Sequence, residues 1–272
     1  AGTVPPAVGA RLADRVDYQI FGEEMQYVVV KLDQGAMAIA EPGNMMFMSG
    51  SVAMDTRFGD PSAGRETGFL GKVMTAGKRV LTGESLFITT FTALAPAQEI
   101  GFAAPYPGTI LAMDIGQLPG NELICQKDSF LAAARGVSIG IAFQKRMGVG
   151  LFGGEGFIMQ RLTGSGVAFV HAGGCLMKRT LQPGETLKID TGCIVAYTKT
   201  VNYDVQFVGG FKNKLFGGEG LFFATLTGPG DVWLQSLPFS RLAGRIVAAV
   251  GAGKGEGSVL GGLGRMIDGD NS

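Results

Sequence analysis

From Val16 onward the chain is written in short apolar runs separated by glycine, proline and asparagine. VDYQI (16–20), QYVVVKL (26–32) and AMAIAE (36–41) come first. Runs this short, rich in β-branched and aromatic residues and bounded by turn formers, predict strands. Glu41-Pro42-Gly43-Asn44 reads as a turn, because proline presets φ and glycine accepts a positive one. MMFMSG and SVAMDTR follow, and Met45, Met46, Met48 and Met54 are the expected core fillers of that stretch. SLFITTFTA (85–93) and QEIGFAA (97–103) read as a hairpin across Leu94-Ala95-Pro96. In FLAAARGVSIGIAF (130–143), Val137, Ile139, Ile141 and Phe143 alternate, the period of a strand with one buried face. Helical spacing follows Pro238: Leu242, Ile246 and Val250 recur every fourth residue, with Ser240 as the expected N-cap. Residues 1–15 are expected to be an extension outside the fold, 60–77 an insertion loop, and the glycine-rich stretch after the helix a tail.

The strand pattern repeats. LFGGEG at Leu151–Gly156 returns at Leu215–Gly220, 64 positions on, and the two sixteen-residue stretches that begin there agree at ten positions. Pro119-Gly120 and Pro183-Gly184 keep the same offset, and FLAAARGVSIGIAF aligns with IVAYTKTVNYDVQF. A degenerate copy, LTGES, stands at Leu81–Ser85, displaced by the insertion. Self-similarity at a fixed period predicts an array of like units. The expected boundaries are 16–106, 107–166 and 167–238, followed by the helix and tail at 239–272. A strand-built unit of this length buries little apolar surface alone and leaves bare sheet edges. The predicted fold is therefore all-β: three tandem sandwich units in a pseudo-threefold arrangement, closed by a short C-terminal helix.

Chemistry enters only weakly. Lysine plus arginine equals aspartate plus glutamate, 23 each in 272 residues, so no global field draws the chain to nucleic acid or membrane. The 45 glycines fall singly or in pairs between apolar runs, as turn punctuation. Cys125, Cys175 and Cys193 form no CxxC pair and read as reduced thiols on strands; His171, the sole histidine, argues against a metal site or histidine catalysis. Trp233 and Phe169 share one core slot of the repeat. Gly136–Gly140 fits GxSxG, but Ser138 falls inside an alternating strand, where a nucleophile elbow needs a strand-to-helix turn. Gly148–Gly153 fits GxGxxG, but a strand follows it, where dinucleotide binding needs a helix. No apolar run reaches the roughly 18 residues that span a bilayer.

The remaining candidates are the repeat's own signature. Gly83-Glu84, Gly154-Glu155 and Gly218-Glu219 are expected to form tight turns where one unit meets the next, each carboxylate bonding to backbone N–H groups. A basic pair precedes each: Lys78-Arg79, Lys145-Arg146, and Lys212 with Lys214. Together they would place positive charge near one face, suited to phosphate, acidic lipid or RNA, or would serve as ordinary solubilising charge.

MQYVVVKLD, EPGNMMFMSGSVAMDTRFG, GKRVLTGESLF, LFGGEGFIMQRLTG and LFGGEGLFFATLTG together resemble the altered-inheritance-of-mitochondria family, member twenty-four type, the mitochondrial biogenesis proteins. The resemblance spans roughly Asp17–Arg265. It implies a fold similar to the tryptophan RNA-binding attenuator protein, a short double-stranded β-helix or jelly-roll sandwich, here present three times. It supplies no catalytic residues, and no cofactor or metal is expected. The expected function is that of a non-enzymatic oligomeric scaffold or membrane-associated assembly protein. The alternative is a ring-like binder of a small ligand or RNA in clefts between units. A homo-oligomer is the expected state and a membrane or membrane protein the next partner, with nucleic acid less favoured. The expected location is the cytoplasm, with attachment to the face of an inner membrane as the variant that kinship suggests. If the motif carboxylates hold their turns, Glu155→Gln combined with Glu219→Gln lowers the melting temperature; an unchanged melting curve would remove that role.

Overall fold

The computed structural model describes residues 16–41, 43–58, 87–145, 157–208, 221–247 and 249. A leading strand, β1 (Asp17–Phe21), precedes three units of six strands each. The first unit holds β2 (Tyr27–Leu32), β3 (Met37–Ala40), β4 (Met45–Met48), β5 (Val52–Phe58), β6 (Phe87–Ala93) and β7 (Gln98–Ala103). The second holds β8 (Gly108–Asp114), β9 (Glu122–Gln126), β10 (Phe130–Ala134), β11 (Val137–Lys145), β12 (Phe157–Gly164) and β13 (Val167–Gly173). The third holds β14 (Leu176–Leu181), β15 (Thr186–Asp190), β16 (Ile194–Thr198), β17 (Asn202–Val208), β18 (Leu221–Thr227) and β19 (Gly230–Gln235).

The same antiparallel pairings recur in every unit. The sixth strand lies between the first and the third, as β7 lies between β2 and β4. The fifth lies between the fourth and the second, as β6 lies between β5 and β3. Even the irregularity is copied: each third strand carries a bulge, between Met45 and Phe47, Phe130 and Ala132, and Ile194 and Ala196. Each unit is thus two half-sheets, and adjoining units share a sheet. The third strand of one unit pairs with the second strand of the unit before it, β10 with β3 and β16 with β9. At the first junction Ala40, Ile39 and Ala38 face Ala132, Ala133 and Ala134; small side chains on both strands let the sheet be covered on both faces.

Among the described residues four sheets result: β1-β2-β7-β4, β5-β6-β3-β10-β13-β8, β11-β12-β9-β16-β19-β14 and β15-β18-β17. They stack in series around three cores. Val30, Phe91, Phe102, Leu131 and Phe169 fill the space between the first and second sheets. Ile39, Leu123, Phe130, Val170 and Trp233 fill the next space, and Met159, Ile189, Tyr197, Ala224 and Val232 the last.

Five expectations change. SLFITTFTA and QEIGFAA make no hairpin: β6 and β7 lie in different sheets, and the chain turns the corner between them through Ala97 at φ 53°. VAFVHA (167–172), which the expected 167–238 boundary put at the head of the third unit, closes the second instead, because β13 pairs with β8 along its length. The 64-residue period fixes the length of a unit but leaves its phase open. The stretches carrying LTGES and LFGGEG lie within units: they join β5 to β6, β11 to β12 and β17 to β18, whose flanking residues pair directly. The helix over residues 239–247 begins two residues earlier than expected, with the Pro238 carbonyl accepting from the Leu242 N–H and Ser240 inside it. Finally, Met46, Met48 and Met54 lie on the surface, and Met45 is only half-buried.

That last correction defines a comparison within one chain. Met46 and Leu131 hold the same place in their units, the bulge of the third strand, yet Met46 is 50% exposed and Leu131 1%. Leu131→Ala is expected to cost about 2–5 kcal/mol in denaturant unfolding, whereas Met46→Ala at low protein concentration should stay within about 0.5 kcal/mol.

Candidate functional site

Most residues singled out from the motifs lie outside the described residues: Lys78, Arg79, Gly83 and Glu84 between β5 and β6, Arg146, Gly154 and Glu155 between β11 and β12, and Lys212, Lys214, Gly218 and Glu219 between β17 and β18. The GxGxxG stretch falls there too. Lys145 is the last residue of β11, opposite Phe157. The three segments hold one place in the chain order, each connecting the fourth strand of its unit to the fifth.

Several reactive side chains fall among the described residues. Ser138 sits inside β11 opposite Thr163, with no helix following it. His171 is buried in β13, its ring edge-on to Tyr106 at 4.7 Å. Burial lowers its pKa to about 4, against a smaller upward pull from the Tyr106 backbone, so the imidazole is neutral at pH 7. Its counterpart Gln235 ties two units together: its carbonyl accepts from the Gly173 N–H, and its amide donates to the Gly192 carbonyl at 2.8 Å. Burial, with the Glu41 carboxylate nearby, pushes the Cys125 thiol well above its ordinary value and removes its nucleophilic form. Glu122 accepts from Arg161 at 3.1 Å and from Lys199 of the next unit at 3.2 Å. The Glu41 carboxylate accepts from the Gln160 amide of the second unit at 3.0 Å. Among the described residues no three His, Cys, Asp or Glu side chains are grouped as a metal would need.

What stands out is the two ends of the sheet stack. β4 bonds to β7 on one side and, among the described residues, to no strand on the other. The Asn44 amide, donating to the Phe130 and Leu131 carbonyls, pins its start against β10. The Ser49 N–H, donating to the Glu99 carbonyl, pins its end. Met46, Phe47 and Met48 are 50%, 38% and 37% exposed; at the same positions Leu131, Ala132 and Ala133 are 1% exposed and Tyr197 is 5%. The Phe47 ring lies flat where Gly101 leaves room; a Cβ there would fall 2.4 Å from the ring. At the far end β15 bonds, among the described residues, to β18 alone, and Lys188 is exposed where Ile39 and Ile124 are buried. Arg241 donates to the Asp190 carboxylate at 3.1 Å, holding the C-terminal helix beside that strand's end. The helix carries further exposed apolar groups in Phe239, Ile246 and Val247.

Sequence reasoning missed this surface. A methionine-rich strand reads as core, and only the pairing shows that it has one strand neighbour among the described residues. Lys188 was a usable signal, since it replaces an isoleucine of the preceding copy.

The chain matches the family model described as mitochondrial biogenesis AIM24 over residues 18–237. It is 29% identical over 226 residues to an uncharacterized protein of Streptococcus pyogenes serotype M6, covering 82% of this chain and 86% of that one. A crystal structure of a Streptococcus pyogenes protein has the same fold, with a TM-score of 0.67 at 24% identity, covering 86% of this chain and all of that one.

His171 gives this region a pH signature. Its folded pKa lies below its unfolded value, so the unfolded chain takes up the proton first, and stability falls as pH drops from about 6.5 toward 4. The loss should reach about 3 kcal/mol by pH 4, and His171→Gln, the residue the next unit carries, should remove that part of the slope. Equal pH slopes for the two proteins in urea unfolding would contradict the burial of a neutral imidazole.

Proposed function

The chain belongs to the mitochondrial biogenesis AIM24 family, and we propose that it acts there as a non-enzymatic assembly scaffold, contributing rigid surfaces rather than turnover. The observation that carries this reading is the exposed apolar strand β4, whose two internal counterparts are both covered by a neighbouring unit. An apolar edge with unpaired backbone groups is costly to leave bare, and natural sheets either blunt such edges or use them. β15 is blunted by Lys188, whereas Met46, Phe47 and Met48 leave β4 apolar.

The disposition of charge agrees with this. Glu41 and Glu122 reach across unit junctions, and Asp190 holds the helix. Among the described residues no helix is long and apolar enough to cross a membrane. The exposed Phe239, Ile246 and Val247 would make membrane or membrane-protein contact a peripheral one.

β4 is four residues long, so the contact it makes is weak and concentration-dependent. Sedimentation velocity over a concentration series is expected to show species larger than one chain. Phe47→Lys should move the midpoint of assembly upward about tenfold, or about 1.4 kcal/mol, while the chain still unfolds in one cooperative transition. A single-chain species at every concentration, with no protein retained by the immobilised full chain, would contradict the scaffold reading.

A further inference from the structure

The chain contains its own template for what covers β4. Resting on the scaffold reading, the geometry points to head-to-tail self-assembly, in which β4 of one copy pairs antiparallel with β15 of a second copy. In both internal junctions the third strand of a unit receives the second strand of the unit before it. The same rule applied past the ends leaves one third strand, β4, and one second strand, β15, each at the end of its sheet. The two incomplete sheets are complementary halves. The fourth sheet supplies β17-β18-β15 and the first supplies β4-β7-β2, the order found in both six-stranded sheets.

The register follows without adjustment. Relative to the sixth strand, Phe47 stands where Ala132 and Ala196 stand, opposite Gly101, Phe169 and Trp233 in turn. Relative to the fifth strand, Ile189 stands where Ala40 and Cys125 stand, opposite Ala224, Thr89 and Gln160 in turn. Ala132 faces Ala40 and Ala196 faces Cys125, so Phe47 faces Ile189 of the second copy. One step along, Met48 faces Lys188, and then Ser49 faces Leu187.

Lys188 sets the strength of this contact. On the bare edge its charge discourages unspecific strand pairing. Across from Met48 its four-carbon stem lies along the thioether while the ammonium stays in water. The contact is heterologous, using different patches on the two copies, and therefore propagates until the rotation per copy closes a ring.

Two experiments test the pairing on the full chain. Chains carrying Met48→Cys and chains carrying Lys188→Cys, both with Cys175→Ser and Cys193→Ser, are mixed and mildly oxidised. The expected product is a two-chain disulfide that forms in the mixture and with neither chain alone. The companion test is charge. Met48→Lys, placed opposite Lys188, should weaken assembly about tenfold, and Lys188→Glu in the same chain should restore it. Met48→Glu alone should strengthen assembly several-fold. Linking of the Met48→Cys chain to itself, or equal weakening by Met48→Lys and Met48→Glu, would mean that two β4 edges meet and would overturn the proposal. A disulfide formed within one chain carrying both cysteines would overturn it by showing that the chain closes on itself. Assemblies that persist in sedimentation but ignore Met48 and Lys188 would overturn the pairing while leaving the scaffold reading intact. A single-chain species throughout would remove both.

Discussion

A strand inside a sheet must give its backbone N–H and C=O groups to a neighbour on each side, and this requirement organises the whole molecule. Each unit carries a third strand that its own sheet pairs on one side only. The unit before supplies the missing neighbour, β3 for β10 and β9 for β16. Three modules therefore share sheets and are more than neighbours along a string. Small residues make this junction dense: alanines face alanines between the first two units, and Cys125 faces Ala196 between the second and third. Where the rule has no partner left to use, side chains that are elsewhere buried come to the surface.

The same junctions explain where the polar chemistry went. Gln235 bonds to the backbone of Gly173 and Gly192, Gln160 reaches Glu41 of the unit before, and Lys199 reaches back to Glu122. These side chains hold adjoining units in register. His171 occupies the place of Gln235 in the second unit but packs against Tyr106, so burial suppresses its charge. A buried neutral histidine is a structural part with a pH cost, and its position follows from the repeat.

Much of the fold was legible in the residues. Strand alternation at Val137 and Ile139, the 64-residue period and the presence, though not the starting residue, of a helix after Pro238 appear as expected, since each is a local pattern. The relation between strands was not legible. SLFITTFTA and QEIGFAA look like a hairpin because their linker is short, yet a short linker also serves to turn a corner between sheets. The methionines of β4 look like core because nothing in MMFMSG says that the neighbouring strand is absent. The candidate surface needed three copies compared at one position, Met46 against Leu131 and Val195, which only the strand register supplies. The glycine-glutamate motifs were legible as a repeat, and the strands on either side of each motif pair with one another.

Amide hydrogen exchange on the dilute, single-chain protein tests the central claim most directly. The account predicts slow exchange throughout β10 and β16, whose backbone groups are paired on both sides, and exchange faster by orders of magnitude at the outward-facing amides of β4 and β15. Equal protection of β4, β10 and β16 in the dilute protein would contradict it, because the third junction would then be closed within one chain.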